Sequence, residues 1–269
     1  MTAISVVIVN YRSGSLLPSC LQELFECTPS IELEICVVNN DSPQDLQGVE
    51  RARWPSLRVL QNPSNLGFAA AANRGIRQTS HEGILLLNPD VSAHPGSIEA
   101  LLRTFSADPR VAIALPRLVN PDGTLQYSCR RFYTYRTLLL RRSPWNRIFP
   151  EHPLVRRHLM TNWDHQGTTE VDWGLGAAML LRRSAFSDET PFDERFFLYF
   201  EDVDLCWRAK QRGFKVIYQG DAVMTHQHRR DSGQRWNSSA KRHHFRSLLK
   251  FILKHRFRLA PNLSTQAGS

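Results

Sequence analysis

The sequence predicts an α/β fold with a mostly parallel central sheet, helices on both faces and a C-terminal helical tail. Three observations predict it. Short β-branched runs alternate with helical segments over the first 115 residues, the runs are apolar at nearly every position, and amide and carboxylate side chains follow directly on them. A strand that is apolar at successive positions is buried on both faces, the condition of a parallel sheet held between helices.

Ile4–Val9 (ISVVIV) is the first strand, and Leu16–Cys27 follows with apolar residues at helical spacing. Glu34–Val38 and Leu57–Leu60 are the next two strands, and Phe68–Gln78 is an alanine-rich helix. Ile84–Leu87, a helix near Gly96–Ser106 and Val111–Leu115 complete the first half. Asn120-Pro-Asp-Gly123 is a turn. Residues 127–170 are rich in Arg and aromatics and read as irregular, lying over the sheet. Thr169–Leu181 returns to strand composition, Glu201–Arg212 is a helix stopped by Gly213, Lys215–Tyr218 is a strand, and Lys241–His255 is the last helix.

The formal charge of +9 is uneven: eight arginines face one acid between Arg130 and His158, and seven Lys/Arg face none from Lys241 to Arg258. Nucleic acid, anionic lipid and phosphate-bearing substrates all fit such a balance. The five cysteines form no CxxC pair, which points to a reducing, cytoplasmic setting. The apolar start has no basic leader and reads as a strand, and no stretch approaches the ~20 apolar residues of a membrane span. Neither a Gly-x-Gly-x-x-Gly turn nor a P-loop follows any strand, which argues against a nicotinamide dehydrogenase and a P-loop NTPase.

Ligands of open α/β sheets bind beyond the carboxyl ends of the strands. There stand Asn10-Tyr11, Asn39-Asn40-Asp41 and Asn88-Pro89-Asp90. Asp90 is either a turn residue or a ligand for Mg²⁺ or Mn²⁺, which one or two carboxylates share with phosphate oxygens. Glu201, Asp202 and Asp204 crowd the first turn of a helix, where the dipole favours acids. Capping leaves the aromatic run before them unexplained. Apolar surroundings raise a carboxylate's pKa and suit it to act as a base, with Asp202 the first choice and Glu201 the alternative. His226 and His228 read alone as solvated surface or metal ligands. The last helix carries Phe245, Leu248, Leu249 and Ile252 on one side with Lys/Arg opposite, suited to docking on the domain or lying on an anionic membrane.

Several stretches together resemble glycosyltransferase family 2, with its GT-A fold, and within it the bacterial rhamnosyltransferase-like members. They are Val7-Ile-Val-Asn-Tyr11, Val37-Val-Asn-Asn40, Asn65-Leu-Gly-Phe-Ala-Ala-Ala-Ala-Asn-Arg-Gly75, Leu85-Leu-Leu-Asn-Pro-Asp90, Val171-Asp-Trp-Gly-Leu-Gly-Ala177 and Phe192-Asp-Glu-Arg-Phe-Phe-Leu-Tyr-Phe-Glu-Asp-Val-Asp204. The resemblance implies a catalytic domain over residues 1–230, with a nucleotide-binding half (1–115) and an acceptor and catalytic half (116–230), followed by a basic helix and tail (231–269). It implies a nucleotide site of Val9, Asn10, Tyr11, Asn39, Asn40, Asn65, Gly67, Asn73 and Asn88, with Tyr11 stacking on the base. It places Asp172, Trp173 and Gly176 near donor and acceptor sugars, Asp202 as catalytic base, and Asp90 with His226 as metal ligands.

Two positions depart from the family pattern. Asn88 stands where the Asp-x-Asp motif has its first acid, and Asn39 replaces the usual acid after the second strand. The reading is therefore an inverting, metal-dependent transferase working in cell-surface polysaccharide synthesis. The donor implied is dTDP-L-rhamnose, and the acceptor a saccharide or polyprenyl-linked sugar at the inner membrane face. Alternatives are a UDP-hexose donor, a sugar nucleotidyltransferase, or a basic nucleic-acid or membrane-binding module. The nucleotidyltransferase lacks its glycine- and Arg/Lys-rich loop after the first strand, and the module leaves the acids at 201–204 unexplained, since they would repel nucleic acid.

Overall fold

The computed structural model describes residues 2–46, 48–49, 53–143, 151–187, 190–227 and 238–261. Strand β1 (Ala3–Asn10) lies between β2 (Glu32–Asn39) and β4 (Gly83–Leu87), parallel to both, and β3 (Leu57–Gln61) continues the sheet beyond β2. Side chains alternate between two cores. Val7 and Val9 enter one and Ile4, Val6 and Ile8 the other; Cys36 and Val38 oppose Ile35 and Val37, and Leu86 opposes Leu85 and Leu87. With both faces covered, the two-residue period leaves no polar position, and the runs read apolar throughout.

Helices α1 (Leu17–Cys27) and α3 (Ser97–Ala107) close one face with Leu17, Leu21, Leu24, Ile98, Leu101 and Phe105. Helix α2 (Phe68–Ile76) lies on the other face, where its alanines let it approach closely. A Cβ at Gly75 would meet Val7 Cγ1 at 2.5 Å and Val38 Cγ2 at 2.9 Å, so the helix rests directly on β1 and β2.

In the second half, β10 (Ala178–Arg182) runs antiparallel between β4 and β6 (Val111–Val119). Strand β11 (Lys215–His226) is parallel to β6, and β5 (Val91–Ala93) and β8 (Thr168–Glu170) pair antiparallel with β11. The nine-stranded sheet among the described residues is thus parallel in two blocks and reversed at β10, β5 and β8. An apolar run reports burial, not direction, which is why its composition suggests a more uniformly parallel sheet.

Other differences from expectation have physical causes. Thr169–Leu181 is three strands, since β9 (Trp173–Gly174) leaves the main sheet to pair with β7 (Cys129–Arg130). The stretch expected to be irregular contains α4 (Tyr135–Arg142), capped by Thr134 Oγ1 accepting from Thr137 N, and α5 (Pro153–Leu159), started by a proline. Both are too short for a periodic signal. Strand β11 runs on past Tyr218 to His226, with a register shift between Gln219 and Val223. Helix α6 (Glu201–Gln211) is as expected, and α7 (Ser238–Lys254) starts before Lys241. The stripe expected on α7 divides: Leu248 and Phe251 are buried and Ile252 packs against them, whereas Phe245, Leu249 and Leu253 are exposed. All five cysteines are free, and among the described residues no helix is long and apolar enough to cross a membrane.

Candidate active site

Strands β1, β2 and β3 end side by side at Asn10, Asn39 and Gln61, and their amides close a network inside the sheet edge. Asn10 Nδ2 donates to Asn39 Oδ1 at 2.9 Å and to Asp45 Oδ2 at 2.6 Å. Asn39 Nδ2 donates to the carbonyls of Asp41 and Ser42 and to Gln61 Oε1. Both asparagines are fully buried, so they fix the loops around the edge, and a direct contact to a base would require Asn39 to give up bonds it holds here. Asn10 Oδ1 is buried without a hydrogen bond. The Val9 side chain belongs to the core. Tyr11 is exposed at the rim, with the Arg12 guanidinium 5.1 Å from its ring centroid.

The segment from Asn65 to Asn73 is docked against the residues leading to α6. Asn40 Nδ2 donates to the Gly67 carbonyl at 3.1 Å, and Gly67 N donates to Asn65 Oδ1 at 2.9 Å. Gly67 has φ +86°, and a Cβ there would lie 2.5 Å from the Phe197 carbonyl oxygen. Both constraints require glycine. Asn73, also buried, donates to the Phe192 carbonyl and Glu194 Oε1 and accepts from Phe192 N, so it ties α2 to the 192–197 segment and does not face the edge.

Asp90 and His226 come together because β5, immediately after Asp90, pairs with the end of β11, placing His226 opposite Val91. His226 Nε2 lies 3.6 Å from Asp90 Oδ2. The ring's tautomer follows from Gln126, which sequence reasoning missed. The Asn120–Gly123 turn folds the chain back along β6 and delivers Gln126 beside His226. Gln126 Nε2 donates to the His226 carbonyl and to Asn120 Oδ1, both at 2.8 Å, so its Oε1 must accept from His226 Nδ1–H at 2.9 Å. In the neutral ring this leaves the Nε2 lone pair turned to a carboxylate. Two ligand atoms each about 2.0–2.2 Å from one ion stand roughly 3–4 Å apart. The donor set therefore fits a divalent cation, with the outer hydrogen bond such ligands require. Among the described residues no third His, Cys, Asp or Glu joins them. Asn88, on the same turn, makes no side-chain hydrogen bond among the described residues. His228 lies outside the described residues.

The three acids of α6 have three fates. Asp202 is half-buried; its Oδ2 accepts from Gly176 N at 3.2 Å and its Oδ1 from Val203 N at 2.8 Å. Burial pushes its carboxyl up to about 6, with those N–H groups and the Arg130 charge holding it back. Glu201 is buried and its Oε2 has no hydrogen bond; burial first and the Asp202 charge second raise it well above the ordinary range. At about 6, Asp202 is able to titrate near neutrality and take up a proton. Asp204 is fully buried and pairs with Arg208 (2.9 Å), Lys254 (2.8 Å) and His255 (2.7 Å), bolting α7 to α6. Burial pushes it up, but these partners win and its pKa is lowered. Tyr199 and Phe200, before α6, have φ of +67° and +69°, a conformation costing bulky residues about 1–3 kcal/mol each. It turns the chain sharply into the first helical turn, where Asp202 faces Gly176.

Asp172 accepts from Phe132 N at 2.8 Å and pairs with Arg131 at 3.4 Å, so its carboxylate is engaged in joining two loops. Trp173, three residues before the Gly176 whose N–H donates to Asp202, is buried and donates from Nε1 to the Arg131 carbonyl. A recess lined by Arg103, Thr104, Asp108 and Lys215 lies at the amino ends of β6 and β11, the opposite edge, where Lys215 and Asp108 pair at 2.7 Å.

Comparisons with known proteins bear on the family and the fold. The family described as glycosyltransferase like family 2 matches residues 2–247. An N-acetylglucosaminyl-diphospho-decaprenol L-rhamnosyltransferase of Mycobacterium tuberculosis is 30% identical over 262 residues, covering 89% of this chain and 80% of that protein. A low-salt glycan biosynthesis hexosyltransferase of Haloferax volcanii is 25% identical over 224 residues, covering 79% of this chain and 63% of that protein. Among solved structures, GalNAc-T7 with UDP, GalNAc and Mn²⁺ superposes with a TM-score of 0.64 at 15% identity, over 84% of this chain and 43% of that one. A mannosyltransferase of Pyrobaculum calidifontis with GDP-Man and Mn²⁺ gives 0.64 at 17% identity, over 96% of this chain and 65% of that one. The two structural likenesses show the GT-A fold.

Proposed function

The chain belongs to glycosyltransferase family 2, and from that premise we propose that it moves L-rhamnose from dTDP-rhamnose to a sugar carried on a polyprenyl diphosphate. That it is a glycosyltransferase follows from the family; the donor and acceptor are the inference. The observation that carries it is Asp202, a carboxylate poised near neutrality at the carboxyl edge of the sheet and oriented by the Gly176 N–H. The donor's nucleoside lies over Tyr11 and the loops held by Asn10, Asn39, Asn40 and Asn65. Its diphosphate faces Asp90, His226 and Asn88. A divalent ion held by Asp90 and His226 would neutralise charge developing on the departing diphosphate. Asp202 takes the proton of the acceptor hydroxyl as that oxygen bonds to the anomeric carbon. The bond to the donor's diphosphate breaks on the opposite side, and the configuration inverts.

The lipid-linked acceptor draws support from two sides. The M. tuberculosis relative is named for a diphospho-decaprenol substrate. On α7, Phe245, Leu249 and Leu253 form an exposed stripe, with Phe257 exposed just beyond and Lys241, Arg242, Arg246 and Lys250 on the same helix. Apolar side chains flanked by cations suit a peripheral position on an anionic membrane face.

The test is thermal shift with dTDP-rhamnose, UDP-sugars and GDP-sugars, with and without Mn²⁺. A metal-dependent rise largest for dTDP-rhamnose supports the reading, since a ligand stabilises the state it binds. A rise with UDP-sugars alone keeps the transferase and removes rhamnose.

A further inference from the structure

Near the strand that leads to Gly176 and Asp202 stand two guanidiniums that form no ion pair among the described residues. Arg130 sits opposite Trp173 in the β7–β9 ladder, and its guanidinium lies 5.6 Å from the centre of that ring. Its Nη1 is buried without a hydrogen bond, and the guanidinium forms no ion pair among the described residues. Arg141, on α4, crosses to α5 and donates from Nη1 to His158 Nε2 at 2.9 Å, also without an ion pair there. His158 is buried against Tyr133, with ring centres 4.5 Å apart.

The electrostatics agree. Burial, then the charges of Arg141 and Arg130, holds His158 down to about 3, so the imidazole is a neutral acceptor that aims Arg141. Burial first and the Arg141 charge second lower Arg130 to about 10, with Asp202 acting in the opposite sense. Packing on Trp173 would be served as well by an apolar side chain, without the cost of burying an unpaired cation. The His158 and Trp173 rings that the two guanidiniums border have centres 6.2 Å apart, and two planar guanidiniums at one aromatic cluster match the oxygens of a phosphate group.

We propose that Arg130 and Arg141, the latter positioned by His158, form a diphosphate subsite on the acceptor side of Asp202, sharing no residue with the Asp90–His226 pair. The inference rests on the transferase reading and adds which part of the acceptor is gripped. Arg130 pairs with Trp173 on the strand that leads to Gly176 and so to Asp202, while the donor's diphosphate is assigned to Asp90 and His226, so the diphosphate is the acceptor's.

The test is calorimetric titration of the full chain with inorganic pyrophosphate in EDTA, followed by titration with dTDP or UDP and Mn²⁺. Wild type binds pyrophosphate without metal, and Arg130→Gln and Arg141→Gln each weaken it by about tenfold or more, as loss of a charged hydrogen bond implies. Asp90→Ala leaves it unchanged, and the arginine variants bind nucleotide with Mn²⁺ as wild type does. Arg130→Lys, which keeps the charge, weakens pyrophosphate less than Arg130→Gln and guards against a folding defect. Absence of metal-free binding, or binding indifferent to both arginines, overturns the proposal. Equal loss of Mn²⁺-dependent nucleotide binding overturns it too, by giving the diphosphate to the donor. Failure of the transferase reading is a separate result: no sugar nucleotide stabilises the wild type, whatever pyrophosphate does.

Discussion

Replacing Asp202 by Asn should make the protein more stable and nearly inactive at the same time. Burial holds the carboxyl at about 6 against an ordinary 3.8, so its charged form is disfavoured in the fold by about two pK units, roughly 3 kcal/mol. Between those two values the folded state binds more protons than the unfolded one, so stability falls as pH rises through them and stays low above about 6. Asparagine removes the charge but has one carbonyl oxygen where Val203 N and Gly176 N both donate, a loss of about 1–2 kcal/mol. The net gain near neutral or higher pH is about 1–2 kcal/mol, a rise in Tm of roughly 2–8 °C. By about pH 4.5 some two thirds of the wild type's penalty has gone, and the variant's advantage with it. Transfer falls by about 10²–10⁴ through loss of the base. In the wild type, kcat/KM rises with pH through about 6. The assay is thermal unfolding of both proteins near pH 8 and pH 4.5, alongside steady-state transfer. A variant less stable near pH 8, an offset independent of pH, or retained transfer would refute the reasoning. Glu201→Gln is the companion. Burial disfavours its charged form, so a neutral glutamine should leave the rate near that of wild type; a collapse there would move the base to Glu201.

Gln126→Ala should weaken the activating metal by about 10–100-fold while the fold persists, because the His226 ring loses the acceptor that fixes its tautomer; Mn²⁺ titration of activity measures this. Asp204→Ala should cost about 3–5 kcal/mol by leaving Arg208, Lys254 and His255 around an empty centre. Urea unfolding reads the loss, and limited proteolysis near α7 locates it. Leu249→Asp with Leu253→Asp should abolish co-sedimentation with anionic vesicles and leave the unfolding midpoint unchanged, since both side chains are exposed.

The first half of the fold was legible because its signal is local: β1, β2, β4 and α2 each announce themselves by composition over five to nine residues or so. Asp90 and Asp202 were legible for the same reason, as singular acids at the end of an apolar run and after an aromatic one. What escaped depends on distant pairing. Nothing around Gln126 marks it as the partner of His226, a relation made by a turn and by two parallel strands. Arg130 lay in an Arg-rich run that suits a polyprenyl diphosphate acceptor or the donor's phosphates, but which arginine stands where follows from a ladder of two residues that sets Arg130 against Trp173. Asn39, Asn73 and Asp172 show the converse: motif positions whose side chains are engaged inside the protein.

Strand β11 ends by carrying His226 to Asp90, but it arrives there only after the register shift between Gln219 and Val223, where Gly220 passes the Gly167 backbone too closely for any side chain. Residues alternate sides along a strand, so the count of residues through that irregularity decides which way position 226 points. Which side chain meets Asp90 is thus chosen by arithmetic as much as by chemistry. A lineage that gained or lost a single codon between 219 and 223 would keep Asp90 and His226 in its sequence and still part their side chains.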